Sequence, residues 1–183
     1  MADDIAGMVG TVAQLMALSA RTAPKARGID TIVTDVVAGE RLIQLATEMR
    51  AYGEAKSIGF IVRDSDNIRI SDACLLVGLE YHTTAGLDCG ACGHPTCAEM
   101  LACQDSALLR GKPYKGPNCV VRATDLGIAI GSAVKTASIH NVDNRVMYSV
   151  GVASLRLGWL EGCGVAYGVP LSATAKNIFY DRG

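Results

Sequence analysis

Aromatic residues are scarce in this chain. Two Phe, one Trp and six Tyr among 183 residues leave the core to be filled by aliphatic and small side chains. Charge is scarce too: 19% of residues are ionisable Asp, Glu, Lys or Arg, and 17 basic against 18 acidic residues give a net charge of −1. That balance provides no electrostatic footprint for nucleic acid. Half of the residues are hydrophobic, which excludes a disordered chain. No uninterrupted apolar run reaches the roughly 18 residues needed to span a bilayer, so no membrane association is expected. The start, Met1-Ala2-Asp3-Asp4, puts acids where a signal peptide puts Lys or Arg, and a cytoplasmic location is expected. A G-x-G-x-x-G fingerprint is missing, which argues against a resident nicotinamide nucleotide. Internal repeats, low-complexity runs and linkers are missing as well. A single domain, 1–183, is expected, large enough to bury on the order of 70% of its unfolded surface without disulfides.

Cysteine, by contrast, is plentiful. Seven cysteines in a chain expected to be cytoplasmic argue for metal or redox chemistry before disulfides. Three of them crowd the stretch Cys89-Gly90-Ala91-Cys92-Gly93-His94-Pro95-Thr96-Cys97, and a fourth, Cys119, follows Lys115-Gly116-Pro117-Asn118, giving C-x2-C-x4-C-x21-C. Glycines let the loop turn tightly and bring backbone N–H groups towards sulfur. Pro95 keeps the segment extended until Cys97 can open a helix. Four soft thiolates on a short glycine-rich loop plus one distant ligand suit a cubane iron–sulfur cluster, [4Fe–4S]. Zinc also takes four cysteines, but usually as two closely spaced pairs; free or disulfide-forming thiols are the third alternative. Cys103 competes for the fourth position. It lies six residues into a helix opened by Cys97, about 9 Å along the axis and on another face, so Cys119 is preferred. His94 is expected to face solvent, and Cys74 and Cys163, in apolar surroundings, read as core thiols. Residues 84–120 therefore read as an inserted iron–sulfur loop and helix.

Around this insertion the apolar periodicity outlines the elements. Ile5, Met8, Val9, Val12, Leu15 and Met16 predict a helix from about Asp3 to Ala20. It ends at the basic turn Arg21-Thr22-Ala23-Pro24-Lys25-Ala26-Arg27-Gly28. Its three cations either bind an anion such as phosphate or simply complement a helix C-terminus, and spacing alone favours the second. A helix is predicted over about Gly39 to Tyr52 with Gly53 as its cap, a strand over Ile58 to Val62, and a polar connection over 63–67. A strand buried on both faces follows at Ala73 to Leu79, then a helix from Cys97 to about Leu109. A long helix from about Ala123 to Ile139 carries Gly127, Ala129, Gly131, Ser132 and Ala133, which suit either a dimer interface or an internal helix crossing. Asp143-Asn144 is read as the cap of a helix over 145–157, with a short strand at Gly164 to Val169. The polar, partly aromatic tail 170–183 is expected to dock. The pattern points to an α+β arrangement.

With these segments in place, the chain resembles a family of uncharacterised, largely anaerobe-associated prokaryotic proteins that contain a ferredoxin domain. The resemblance spans about Leu15 to Arg182. It is carried by Leu15 to Gly28, the four-cysteine set, Thr124-Asp125-Leu126-Gly127-Ile128-Ala129-Ile130-Gly131-Ser132-Ala133, Val142 to Ser149 and Gly168-Val169-Pro170-Leu171-Ser172-Ala173. Beneath it the chain is similar to the flavin-binding nitroreductase fold, which implies an α+β fold with a mixed sheet flanked by helices, a homodimer, and FMN at the subunit interface. By that resemblance Arg21, Thr22, Lys25 and Arg27 would hold the FMN phosphate from one side, and Lys176 or Arg182 from the other. Ala175 stands where the family more often has glycine, and Tyr180 where it has phenylalanine. The function implied is a flavin-dependent oxidoreductase passing electrons between cluster and FMN, supplied by a redox partner protein or a small-molecule donor or acceptor. A small iron–sulfur electron carrier or redox sensor, and a structural zinc module, are the competing expectations. No residue stands out as a general acid.

Overall fold

The structure is a computed structural model that describes residues 2–104 and 112–180. Its central element is β2 (Ala73–Glu80), in which seven successive residues are buried. Alternation along the strand sends Leu75, Val77 and Leu79 into one core and Cys74 and Leu76 into the other. On either side β2 pairs antiparallel with β1 (Ile32–Ala38) and β4 (Cys163–Ser172), and β4 pairs with the two-residue β3 (Asp143–Asn144), giving the order β1-β2-β4-β3.

Helices cover both faces. α1 (Ala2–Thr22) and α5 (Val120–Ile139) lie on one, where Val9, Val12, Ala13 and Met16 meet Leu126, Ala129 and Ala133. α2 (Glu40–Ala55), α3 (Gly59–Arg69) and α6 (Tyr148–Arg156) cover the other with Leu42, Leu45, Met49, Ile61, Ile68 and Val150. The remaining helix, α4 (Cys97–Gln104), belongs to the cysteine insertion. α6 sits unusually close to β4, because a Cβ on Gly151 would fall 1.8 Å from the Ala166 carbonyl oxygen and one on Gly168 2.0 Å from Val150 Cγ1. Among the described residues no helix is long and apolar enough to cross a membrane.

The α+β class holds, with every described strand pairing antiparallel where a mixed sheet was expected. Several elements depart from expectation. Residues 59–62 open α3 with Ile58 as its N-cap, and the polar stretch 63–67 lies inside it. Gly53 is interior to α2, and its missing side chain makes room for α3, since a Cβ would lie 2.9 Å from Val62 Cγ2. β1 was not anticipated. α5 begins at Val120 with Cys119 as N-cap, whereas Asp143 and Asn144 form a strand instead of capping α6. The far end of the helix predicted to reach Leu109 lies outside the described residues. The tail does dock: the Phe179 side chain is 2% exposed, Arg145 Nη1 donates to the Phe179 carbonyl at 3.0 Å, and Asn177 Nδ2 donates to Asp143 Oδ1 at 2.9 Å.

A four-cysteine candidate metal centre

The loop between β2 and α4 is built to turn. Asp88, Gly90 and Gly93 have φ of 45°, 71° and 85°, in the left-handed region that glycine enters without strain. Asp88 tolerates it because its side chain is locally engaged: Oδ1 accepts the Cys97 N–H at 2.7 Å, closing the loop on itself. Thr96 Oγ1 accepts the Glu99 N–H at 3.2 Å, capping α4 in the usual manner of a hydroxyl N-cap. Cys97 is thus the first residue of α4 and Cys119 the N-cap of α5. Both thiols stand at the positive ends of helices, where unpaired N–H groups favour negative charge.

These placements bring all four predicted ligands together. Cys89, Cys92, Cys97 and Cys119 line a single pocket with Asp88, His94, Met100 and Val120. Cys119 is 7% exposed and packs with Ala85 and Met100, while Cys92 and Cys97 are half-buried and Cys89 is exposed. His94 lines the same pocket and is half-buried, so it does not simply face solvent. Among the described residues no group of three His, Cys, Asp or Glu side chains is drawn together as a ready-made site for a metal ion. Cys103 is not part of the lining. Cys74 and Cys163 are buried elsewhere: desolvation holds the Cys74 thiol far above its ordinary range, and desolvation, then the charge of Glu80, pushes Cys163 up to about 11.

The segment returning to Cys119 is tied to the sheet and to α4. Lys115 N–H donates to the Gly164 carbonyl at 2.9 Å, Gln104 Nε2 to the Pro117 carbonyl at 2.6 Å, and Tyr114 Oη to the Ala166 carbonyl.

The basic turn sits at the same end of the sheet. Glu80 N–H donates to the Thr31 carbonyl and Tyr81 N–H to the Gly162 carbonyl, so Thr31 and Gly162 flank the root of the cysteine loop, two strand spacings or about 10 Å apart. Arg27, at φ 59°, reaches over to donate from Nη1 to the Ala85 carbonyl at 3.2 Å. Arg21 is paired with Asp30 at 2.8 Å. The Thr22 hydroxyl donates back to the Leu18 carbonyl at 3.1 Å. Lys25, its side chain 4% exposed, spends its ammonium on the carbonyls of Ala20 and Arg21, at 2.5 and 2.6 Å. It therefore caps the C-terminus of α1. Lys176 is exposed in the tail, and Arg182 lies outside the described residues. Beside Gly162 opens a cavity of about 510 Å³ lined by Tyr52, Lys112, Lys115, Arg156, Glu161 and Cys163, within the size range of small-molecule sites.

Sequence reasoning missed Arg122 and Asp125, a buried ion pair at 2.9 Å one helical turn beyond Cys119. Two charges three residues apart on the buried face of an apolar helix were the available signal.

Residues 115–182 match the model of a family described as uncharacterised proteins containing a ferredoxin domain. An uncharacterised protein of Archaeoglobus fulgidus is 42% identical over 174 residues, covering 95% of this chain and 91% of the relative. The chain belongs to this family. The matched segment of this ferredoxin-domain protein includes Cys119 but stops short of the three-cysteine loop. Solved nitroreductases share its fold. CinD of Lactococcus lactis, in complex with nicotinic acid, superposes with a TM-score of 0.59 at 11% identity, covering 93% of this chain and 83% of that one. A nitroreductase with bound FMN from Desulfitobacterium hafniense gives 0.57 at 16% identity, covering 91% and 78%. The FMN-dependent NfnB of Mycobacterium smegmatis, in complex with NADPH, gives 0.58 at 10%, covering 90% and 78%. Family membership supports a redox function, and the structural neighbours establish the nitroreductase fold.

Proposed function

We propose that this ferredoxin-domain protein is a redox protein in which Cys89, Cys92, Cys97 and Cys119 hold a [4Fe–4S] cluster and FMN binds at the same end of the sheet. The observation that carries the reading is the convergence of those four thiols, and no other cysteine, on one pocket beside the basic turn. The donor set fits: all four are soft thiols on one pocket, two of them at helix N-termini, and three come from one glycine-rich loop where structural zinc usually takes two closely spaced pairs. A bound cluster exchanges single electrons, and a bound flavin interconverts one- and two-electron steps. For FMN, Arg21 and Arg27 offer exposed guanidinium groups to the phosphate, and the cavity beside Gly162 would take the ring. Lys25 can join them only by leaving the end of α1.

A homodimer is part of this reading. Ile5, Met8, Leu15 and Leu18 on α1 and Ile128 and Ile139 on α5 are exposed, and Gly127 and Gly131 between them meet no neighbouring atom.

The commitments of Lys25 and Arg21 within the chain favour a second reading, an electron carrier with a cluster and no flavin. Anaerobic purification separates the two. Iron, acid-labile sulfide and extractable FMN in comparable amounts support the first; iron and sulfide without flavin sink it in favour of the second; zinc without iron sinks both.

A further inference from the structure

Arg122 is the largest side chain that the core encloses, at 1% exposure. Its guanidinium joins three segments that are distant in sequence. Nη1 donates to the Ala26 carbonyl at 3.1 Å, the Ile29 carbonyl at 3.1 Å and Asp125 Oδ2 at 2.9 Å. Nε and Nη2 both donate to the Thr84 carbonyl, each at 3.2 Å. Asp125 Oδ1 in turn accepts the Ala26 N–H at 2.9 Å. Thr84 opens the insertion that carries Cys89, Cys92 and Cys97, and Arg122 lies one turn into the helix that Cys119 caps.

Stability alone explains this pair poorly. Taking two charges out of water costs several kcal/mol per ion, and apolar replacements of similar volume are often at least as stable. What apolar side chains cannot do is satisfy three backbone carbonyls converging from both sides of a helix. The planar fork of arginine can, because its five N–H donors point in fixed directions.

We infer that Arg122, oriented by Asp125, is a positioning residue for the metal centre: by holding Thr84 to α5 it sets the Cys119 thiol against the three thiols of the loop. This rests on the reading that the four cysteines hold a cluster. A helix shift of even a fraction of a turn would carry Cys119 away from the pocket while leaving the loop, closed by Asp88, intact. The same fork fixes the basic turn to the loop root, so the two candidate sites keep a constant separation.

The test compares wild type with Arg122→Lys, which keeps the charge but cannot reach Thr84 and Ala26 together. Each protein is reconstituted anaerobically with iron and sulfide, and iron release to a strong chelator is timed well below the melting temperature. The metal-free proteins are melted in parallel. Loss of a group that orients metal ligands typically weakens the site 10- to 100-fold, so release at least about tenfold faster from a folded Arg122→Lys protein is expected. Release within twofold of wild type, with or without a lower melting temperature, overturns the inference and leaves the four-cysteine reading standing. Should Arg122→Lys fail to fold, Asp125→Asn, which keeps the fork but frees its orientation, carries the same comparison with the same two outcomes. A wild-type protein that takes up no iron and sulfide overturns the reading itself, and the inference with it.

Discussion

Cys119 and Cys103 are both half or more hidden from solvent, yet only the first lines the pocket with Cys89, Cys92 and Cys97. Cys119→Ala is therefore expected to lose most of its iron and sulfide on anaerobic purification, and Cys103→Ala to keep the wild-type amounts. Full iron content in Cys119→Ala would reassign the fourth ligand. Cys163 predicts a pH effect. Its thiol stays protonated in the folded state up to about 11, whereas in the unfolded chain it ionises near its ordinary value of 9.0. Above pH 9 the unfolded state thus binds fewer protons than the folded one, and stability falls as pH rises through about 11. Melting temperatures of metal-free protein between pH 8 and 11 are expected to decline more steeply in wild type than in Cys163→Ala. Parallel curves would show that this thiol does not titrate as its surroundings imply. At this scale the meeting of the four thiols in one pocket was legible because thiolate spacing is itself chemistry. For Lys25 spacing alone favoured a cation that complements a helix C-terminus, and its ammonium does fold back onto the Ala20 and Arg21 carbonyls, whereas the resemblance pointed to a phosphate.

Among the elements, the approach of α6 to β4 depends on two glycines. Gly151→Ala would drive a methyl group into the Ala166 carbonyl, with backbone on both sides and no flexible side chain to yield. Overpacking of this kind costs about 1–3 kcal/mol or more, and a lower midpoint in urea unfolding is expected; an unchanged midpoint would mean that the two elements can slide apart freely. The misread strand at 58–62 has a related cause. The buried stripe of α3 is Ile61, Asp64, Ser65 and Ile68, helical in spacing but half polar. An acid on the buried face hides the period from a reading based on apolar residues. Asp64 is tolerable there because Ser149 Oγ donates to it at 2.6 Å and Arg63 Nη2 at 2.8 Å. β1 escaped notice because only two of its seven residues are fully buried. β2, buried on both faces, was unmistakable.

For the whole molecule, the proposed dimer would use the exposed apolar positions of α1 and α5. Leu18→Asp combined with Ile128→Asp is expected to convert a dimer to a monomer in light scattering, with flavin content falling alongside if the flavin site spans two subunits. A double variant that stays dimeric would locate the contact elsewhere. The class of fold followed from the order of elements, but the meeting of turn, loop and cavity at one end of the sheet did not. It depends on strand pairing between residues such as Leu79 and Ile32, which no local pattern encodes.

The pairing of α1 with α5 also bears on biosynthesis. The apolar face of the first helix, Val9, Val12, Ala13 and Met16, packs against β1, β2 and residues 126–133 of α5, so the last of its cover leaves the ribosome more than a hundred residues behind it. At about 5–20 residues per second, that face stays only partly covered for seconds or longer during translation. Cys119 emerges in the same late stretch, and a nascent chain paused before it would present three thiols and no capping helix. If the four cysteines hold the proposed cluster, iron is thus expected to enter only chains released, or nearly so.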